Sequence, residues 1–141
     1  MASVFTMIIN GELPGRFVWK DDQCVAFLTI NPLTPGHTLV VPRQEVDQWT
    51  DADPELWSHL SGVAHTVGTA IKEAFGNARV GVVVAGYEVP HTHIHVFGAD
   101  NMAQFDFANA DPSPDPSELD NAAANVRAAL HALGHTHFVA E

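Results

Sequence analysis

His91-Thr92-His93-Ile94-His95-Val96-Phe97 places three of the chain's nine histidines at alternate positions and runs into an apolar pair. Successive side chains of an extended chain point to opposite faces. A strand over 89–97 would therefore set the three imidazoles on one face and send Ile94 and Val96 into a core on the other. Imidazoles crowded on one face are poor packing material, because each brings ring nitrogens that need partners once desolvated. The stretch reads as a strand that carries chemistry on its polar face.

Working outward, residues 79–85 read as an apolar strand, joined to the histidine strand through the turn Gly86-Tyr87-Glu88. Before it lies the clearest helix of the sequence, with Asp53 as N-cap, Pro54 at the first helical position and Gly76 at its end. Its apolar stripe is Leu56, Leu60, Val63, Val67, Ile71, Ala74 and Phe75. His59 and His65 lie on this helix as surface or packing residues. Further upstream, Asn31-Pro32-Leu33-Thr34-Pro35-Gly36 is a loop leading into a buried strand at His37-Thr38-Leu39-Val40-Val41. Strands over 16–20 and 23–28 make a hairpin around Lys20-Asp21-Asp22, and residues 4–10 make a short helix closed by Gly11. After the histidines, Asp111-Pro112-Ser113-Pro114-Asp115-Pro116 is a surface loop. A last helix begins near Asp115 or Ser117, with Leu119, Ala123, Val126, Leu130 and Leu133 on one face and Gly134 after it. His135 and His137 read as a polar tail. This order predicts an antiparallel sheet with helices packed on it, an α+β fold in one domain over 1–141.

Composition narrows the function. Seventeen acidic residues against six basic ones give a formal net charge of -11. Such a chain repels nucleic-acid polymers and anionic membranes, which are bound through clustered Lys and Arg. No apolar run approaches the length of a membrane span, and the N-terminus lacks a secretory pattern. The single Cys24 excludes an intramolecular disulfide and suits a reducing compartment, so a cytoplasmic location is expected.

Two chemistries fit the histidines. The first is metal binding, since imidazole is a common zinc ligand. Along a straight strand, however, the first and third histidines stand about 13 Å apart at the backbone, so a single ion would need a ligand such as His37 or Glu88 from elsewhere. The second is work on a phosphate: one neutral imidazole attacks phosphorus while its neighbours donate hydrogen bonds and handle protons near neutral pH.

A further segment bears on this choice. Residues 26–42, read as Ala26-Phe27-Leu28-Thr29-Ile30-Asn31-Pro32-Leu33-Thr34-Pro35-Gly36-His37-Thr38-Leu39-Val40-Val41-Pro42, resemble the nucleotide-binding half of the histidine-triad (HIT) family. The triad matches that family's alternating signature except for Thr92. Met7-Ile8-Ile9-Asn10-Gly11-Glu12-Leu13-Pro14 resembles its opening helix and turn.

The likeness is to Hint-like nucleotide hydrolases and phosphoramidases. It implies a five-stranded antiparallel sheet with two main helices and a homodimer. It also implies a nucleoside monophosphate-type ligand, often adenosine, with no metal and no cofactor. By position, the resemblance makes His93 the nucleophile that forms a nucleotidyl-histidine intermediate. It gives His91, His95 and His37 phosphate binding and proton handling, and brings Thr29, Asn31 and Glu88 to the substrate. The chain departs from the family at four places, one being a shortened turn between residues 79–85 and the triad strand that removes an asparagine many members use. Gly86-Tyr87-Glu88 stands where Gly-Gln-Ser or Gly-Gln-Thr is common, and the carboxylate there disfavours a long anionic leaving group. Thr29 replaces an acidic or amide residue at the ribose. Ser3-Val4-Phe5-Thr6 stands where some members carry Cys-x-x-Cys for a structural zinc, which is not expected here. A non-catalytic nucleotide sensor is the remaining alternative.

Overall fold

The computed structural model describes residues 2–140. In chain order the elements are α1 (Val4–Ile9), β1 (Phe17–Lys20), β2 (Cys24–Leu28), β3 (Thr38–Pro42), α2 (Pro54–Phe75), β4 (Arg79–Val83), β5 (Ile94–Ala99) and α3 (Pro116–Ala132). The strands form one antiparallel sheet of order β1-β2-β3-β5-β4. The α+β fold with five antiparallel strands and two main helices is as the sequence implied.

Helices α2 and α3 cover one face. Leu60, Val67 and Ile71 of α2 and Val126 and Leu130 of α3 pack with Val18, Ala26, Val40, Ile94 and Val96 of the sheet, all buried. The caps are those the sequence advertised: Pro54 opens α2 after Asp53, and Gly76 closes it in the left-handed conformation at φ +66°. Asp115 caps α3 by accepting from the Ser117 N–H.

The second face carries a smaller cluster of Phe5, Val25, Phe27, Leu39 and Val41, closed by Ile8 and Ile9 of α1. β2 and β3 are consequently buried at every residue, which explains their near-continuous apolar runs.

Three expectations change. The histidine strand begins at Ile94, not at 89. Pro90 has no N–H to give to a ladder, the His91 N–H turns back to Val89 O at 2.8 Å, and the Thr92 N–H bonds Val46 O at 2.7 Å. Pairing with β3 starts only at Val40↔Ile94, so His91 and His93 lie in a loop. β4 likewise stops at Val83 rather than 85. α3 ends at Ala132, leaving Leu133 39% exposed rather than in the apolar face.

Gly36 sits just before β3 with φ +86°, and a Cβ there would run into the Phe75 ring at the end of α2. Gly134 has a similar φ of +90° with open space around it. Gly134→Ala should therefore cost about 1–2 kcal/mol from backbone handedness alone. Gly36→Ala should cost at least about 1 kcal/mol more from overpacking. Urea unfolding of both variants measures the difference, and equal losses would contradict the packing assigned to Gly36.

Candidate active site

His37 and His95 reach each other across the β3–β5 pairing, where Leu39 opposes His95. The Leu33 backbone N–H donates to His37 Nδ1 at 3.0 Å, and His37 Nε2 lies 2.9 Å from His95 Nδ1. In neutral imidazole one nitrogen donates and the other accepts. Because His37 Nδ1 accepts, its hydrogen is on Nε2 and is donated to His95. His95 therefore keeps its own hydrogen on Nε2. Phe97 and Phe107 wall this pair, with Phe107 4.8 Å from the His95 ring and 6.4 Å from His37 between centroids.

His93 is oriented by a different contact. Its Nδ1 lies 2.8 Å from the His91 carbonyl, which can only accept, so Nδ1 carries the hydrogen and Nε2 the lone pair. Phe5 of α1 meets the His93 ring edge-on at 4.9 Å, and the His95 ring stands 5.0 Å away.

Burial and charge keep these rings neutral. Burial, with His95 nearby, pushes His37 down to about 3. Burial and the neighbouring His93 take His95 down to about 4. Burial lowers His93 too, partly offset by its bond to the His91 carbonyl and by the charge of Glu88.

His91 is wholly buried, with both nitrogens bound to protein: Nε2 donates to Pro42 O at 2.7 Å, and Nδ1 lies 2.7 Å from Ser3 Oγ. Direct phosphate contact by His91, expected from the resemblance, does not fit this placement. Leaving the strand at residue 94 turned its side chain inward, and its carbonyl is what reaches His93. Ser3 and Thr6 meet His91 and Glu45 here through hydrogen bonds.

Thr29, Asn31, Glu88, His93 and His95 line one cavity of about 240 Å³, whose apolar wall includes Phe5, Phe27 and Leu39. His37 lies behind His95. Thr29 Oγ1 accepts from the Asn31 N–H at 3.2 Å, and Asn31 Nδ2 donates to Asp111 O at 3.0 Å. Arg16, the lining's single cation, has its Nε held 2.7 Å from Asp120. Glu88 is exposed at the cavity, while Tyr87 stands 93% exposed beyond it.

Among the described residues, the cluster with metal-ligand spacing is elsewhere, at Asp21, Cys24 and His59. There the Asp21 carboxylate already accepts from Trp19, Gln23, Cys24 and His59.

Glu45 and Phe107 escaped sequence reasoning, and Ser3 and Phe5 entered it only within the stretch 3–6, with no part in the histidine site. Nothing in local spacing marks them, since Ser3 is 88 positions from His91. They become legible only once α1 is placed on the sheet.

Comparison with known proteins gives the chain's family and fold relatives. A model of the HIT domain matches residues 10–102, and the chain belongs to the histidine-triad family. It is 40% identical over 97 residues to an uncharacterized HIT-like protein of Methanocaldococcus jannaschii, covering 66% of this chain and 75% of that one. It is 32% identical over 98 residues to adenylylsulfatase HINT3 of Arabidopsis thaliana, covering 66% of this chain and 50% of the plant protein.

Two solved structures share the fold. A zinc-bound histidine triad family protein of Mycobacterium smegmatis has a TM-score of 0.82 at 27% identity, with 96% of this chain and 98% of that one covered. A hypothetical histidine triad nucleotide-binding protein of Sulfolobus tokodaii has 0.81 at 26% identity, covering 92% of each. Among the described residues no helix is long and apolar enough to cross a membrane.

The lowered histidines have a stability consequence. An unfolded histidine takes up its proton near pH 6.5, whereas folded His37 and His95 stay neutral down to about 3 and 4. Between these limits the unfolded state binds more protons, so the stabilisation is complete above about 6.5 and is lost as pH falls toward 4. Urea unfolding over pH 4–7 should show this loss. His37→Gln should reduce its slope by about one proton, whereas an unchanged slope would contradict the buried neutral pair.

Proposed function

We propose that the chain, as one domain over 1–141, is a nucleotide hydrolase or nucleotidyl transferase. It acts at the α-phosphorus of a nucleoside phosphoramidate in preference to a dinucleoside polyphosphate. The observation that carries this is the pair of fixed tautomers at the cavity. His93 has its lone pair on Nε2, and His95 has its hydrogen on Nε2. One ring is prepared to attack and its neighbour to stabilise charge on a phosphoryl oxygen.

In this mechanism His93 Nε2 forms a bond to phosphorus as the P–N bond breaks. The amine leaves with a proton taken from the medium at the mouth where Glu88 sits. Water then attacks the nucleotidyl-histidine, releasing the nucleoside monophosphate and one proton and restoring neutral His93. The apolar wall of Phe5, Phe27 and Leu39 takes the base, while Thr29 and Asn31 flank the ribose. The plant relative named for adenylylsulfate supports adenosine as the nucleoside. A single arginine already held by Asp120, together with the Glu88 carboxylate, favours a short leaving group of low negative charge.

The zinc-hydrolase reading has less support from the donor set. His91 and His37 have both ring nitrogens engaged, and His93 and His95 keep one each. A cytoplasmic setting suits the buried free thiol of Cys24, which burial and the adjacent Asp21 keep protonated.

Wild-type protein and His93→Ala should be compared on a panel of adenosine phosphoramidate, adenylyl sulfate and diadenosine polyphosphates. Wild type should hydrolyse the phosphoramidate fastest, and His93→Ala should lose at least about 10³-fold in kcat, as removal of a covalent nucleophile does. Equal rates would contradict the mechanism. Turnover abolished by a chelator would favour the metal reading. Nucleotide-dependent thermal stabilisation without product would favour a sensor.

We also propose a homodimer joined through β4, the outer strand beside β5, whose Val82 is 58% exposed. Sedimentation should give twice the chain mass, and Val82→Glu should give a folded monomer. A wild-type monomer would contradict this assembly.

A further inference from the structure

The His91 carbonyl that fixes His93 belongs to a residue outside any regular element, so something else must hold it still. Its side chain does so. His91 Nε2 donates to Pro42 O, so neutral His91 needs a donor at Nδ1, and the Ser3 hydroxyl lies there at 2.7 Å. The other acceptor open to that hydroxyl hydrogen, Thr6 Oγ1, is farther at 3.3 Å. Ser3 is itself held at two points, and its two holders are tied to each other. Its N–H donates to Glu45 Oε1 at 2.6 Å, its Oγ accepts from the Thr6 N–H at 3.1 Å, and the Thr6 hydroxyl donates to the same Glu45 oxygen at 2.7 Å. The chain of contacts runs Glu45, Ser3, His91, His93, with every donor matched to an acceptor.

We propose that Ser3, anchored by Glu45 and Thr6, is a positioning residue for His93. It acts through His91 and selects the tautomer that leaves the His93 Nε2 lone pair available. Without the hydroxyl, the one other polar group near the buried acceptor His91 Nδ1 is Thr6 Oγ1, at 3.5 Å and already donating to Glu45 at 2.7 Å, so the nitrogen loses its short donor. The ring then gains by moving or by exchanging tautomers, and the carbonyl behind it no longer has one place to be. A small displacement of a reacting group is costly in rate while leaving nucleoside contacts intact. The inference rests on His93 being the nucleophile, but its physical core is a statement about the His93 ring that holds with or without turnover.

The test uses the full chain labelled with 15N at histidine. Ring nitrogen shifts should show wild-type His93 as a single Nδ1–H tautomer. Ser3→Ala should show mixed tautomers at His93, a fall in kcat of about 10-fold, and a KM within about twofold of wild type. Ser3→Thr, which keeps the hydroxyl, should restore the wild-type spectrum and rate. Glu45→Ala removes only an exposed carboxylate and therefore spares the core; it should shift both readouts in the same direction by less.

A Ser3→Ala protein that keeps the single His93 tautomer and the wild-type kcat would overturn the proposal. So would a Glu45→Ala protein identical to wild type in both readouts, should Ser3→Ala not fold. If wild type itself fails to turn over, the proposed function falls while the tautomer measurement still decides the role of Ser3.

Discussion

The antiparallel pairing of β3 with β5 is the constraint on which the rest depends. Only three residue pairs make it: Thr38↔Val96, Leu39↔His95 and Val40↔Ile94. Those three pairs carry His37 to His95 across 58 positions of sequence. They also seat Val40, Ile94 and Val96 against α2 on one face while Leu39 and His95 face α1 and the cavity on the other. A slip of one residue would exchange the two faces, placing imidazoles in the core and aliphatic side chains in the site. The apolar alternation on one side therefore enforces the chemical alternation on the other.

Within that frame, protein groups rather than solvent set the protonation pattern. Backbone groups fix two rings directly, the Leu33 N–H at His37 and the His91 carbonyl at His93, and each leaves a single assignment for the remaining nitrogens. Burial keeps the rings neutral, so the pattern survives across the physiological pH range. An array fixed in advance needs little reorganisation when charge develops on a phosphoryl group. This is how a chain of net charge -11 with one arginine at its cavity offers a site for phosphorus chemistry.

Much of this was legible in the sequence, and the failures have physical causes. Both long helices could be read from period and caps, because Asp53-Pro54, Gly76 and Asp115-Pro116 are strong local signals. The alternation at Ile94, His95 and Val96 was read correctly because that part is a strand. Extending it back to His91 failed because Pro90 interrupts the ladder and the next two N–H groups bond to Val89 and Val46. That single departure changes His91 from a residue on the reactive face into a buried support. The sequence does not link the supports Ser3, Glu45 and Phe5 to the histidines, because they sit on other segments and only tertiary packing brings them there.

The central claim is that His93 Nε2 becomes covalently bonded to phosphorus. It is tested most directly by rapid acid quenching of the wild-type protein with adenosine phosphoramidate, followed by intact-mass and peptide mapping. The account predicts a transient adduct of one adenylyl group located on His93. Product formed with no adduct on the protein at any time, or an adduct on another residue, would contradict it.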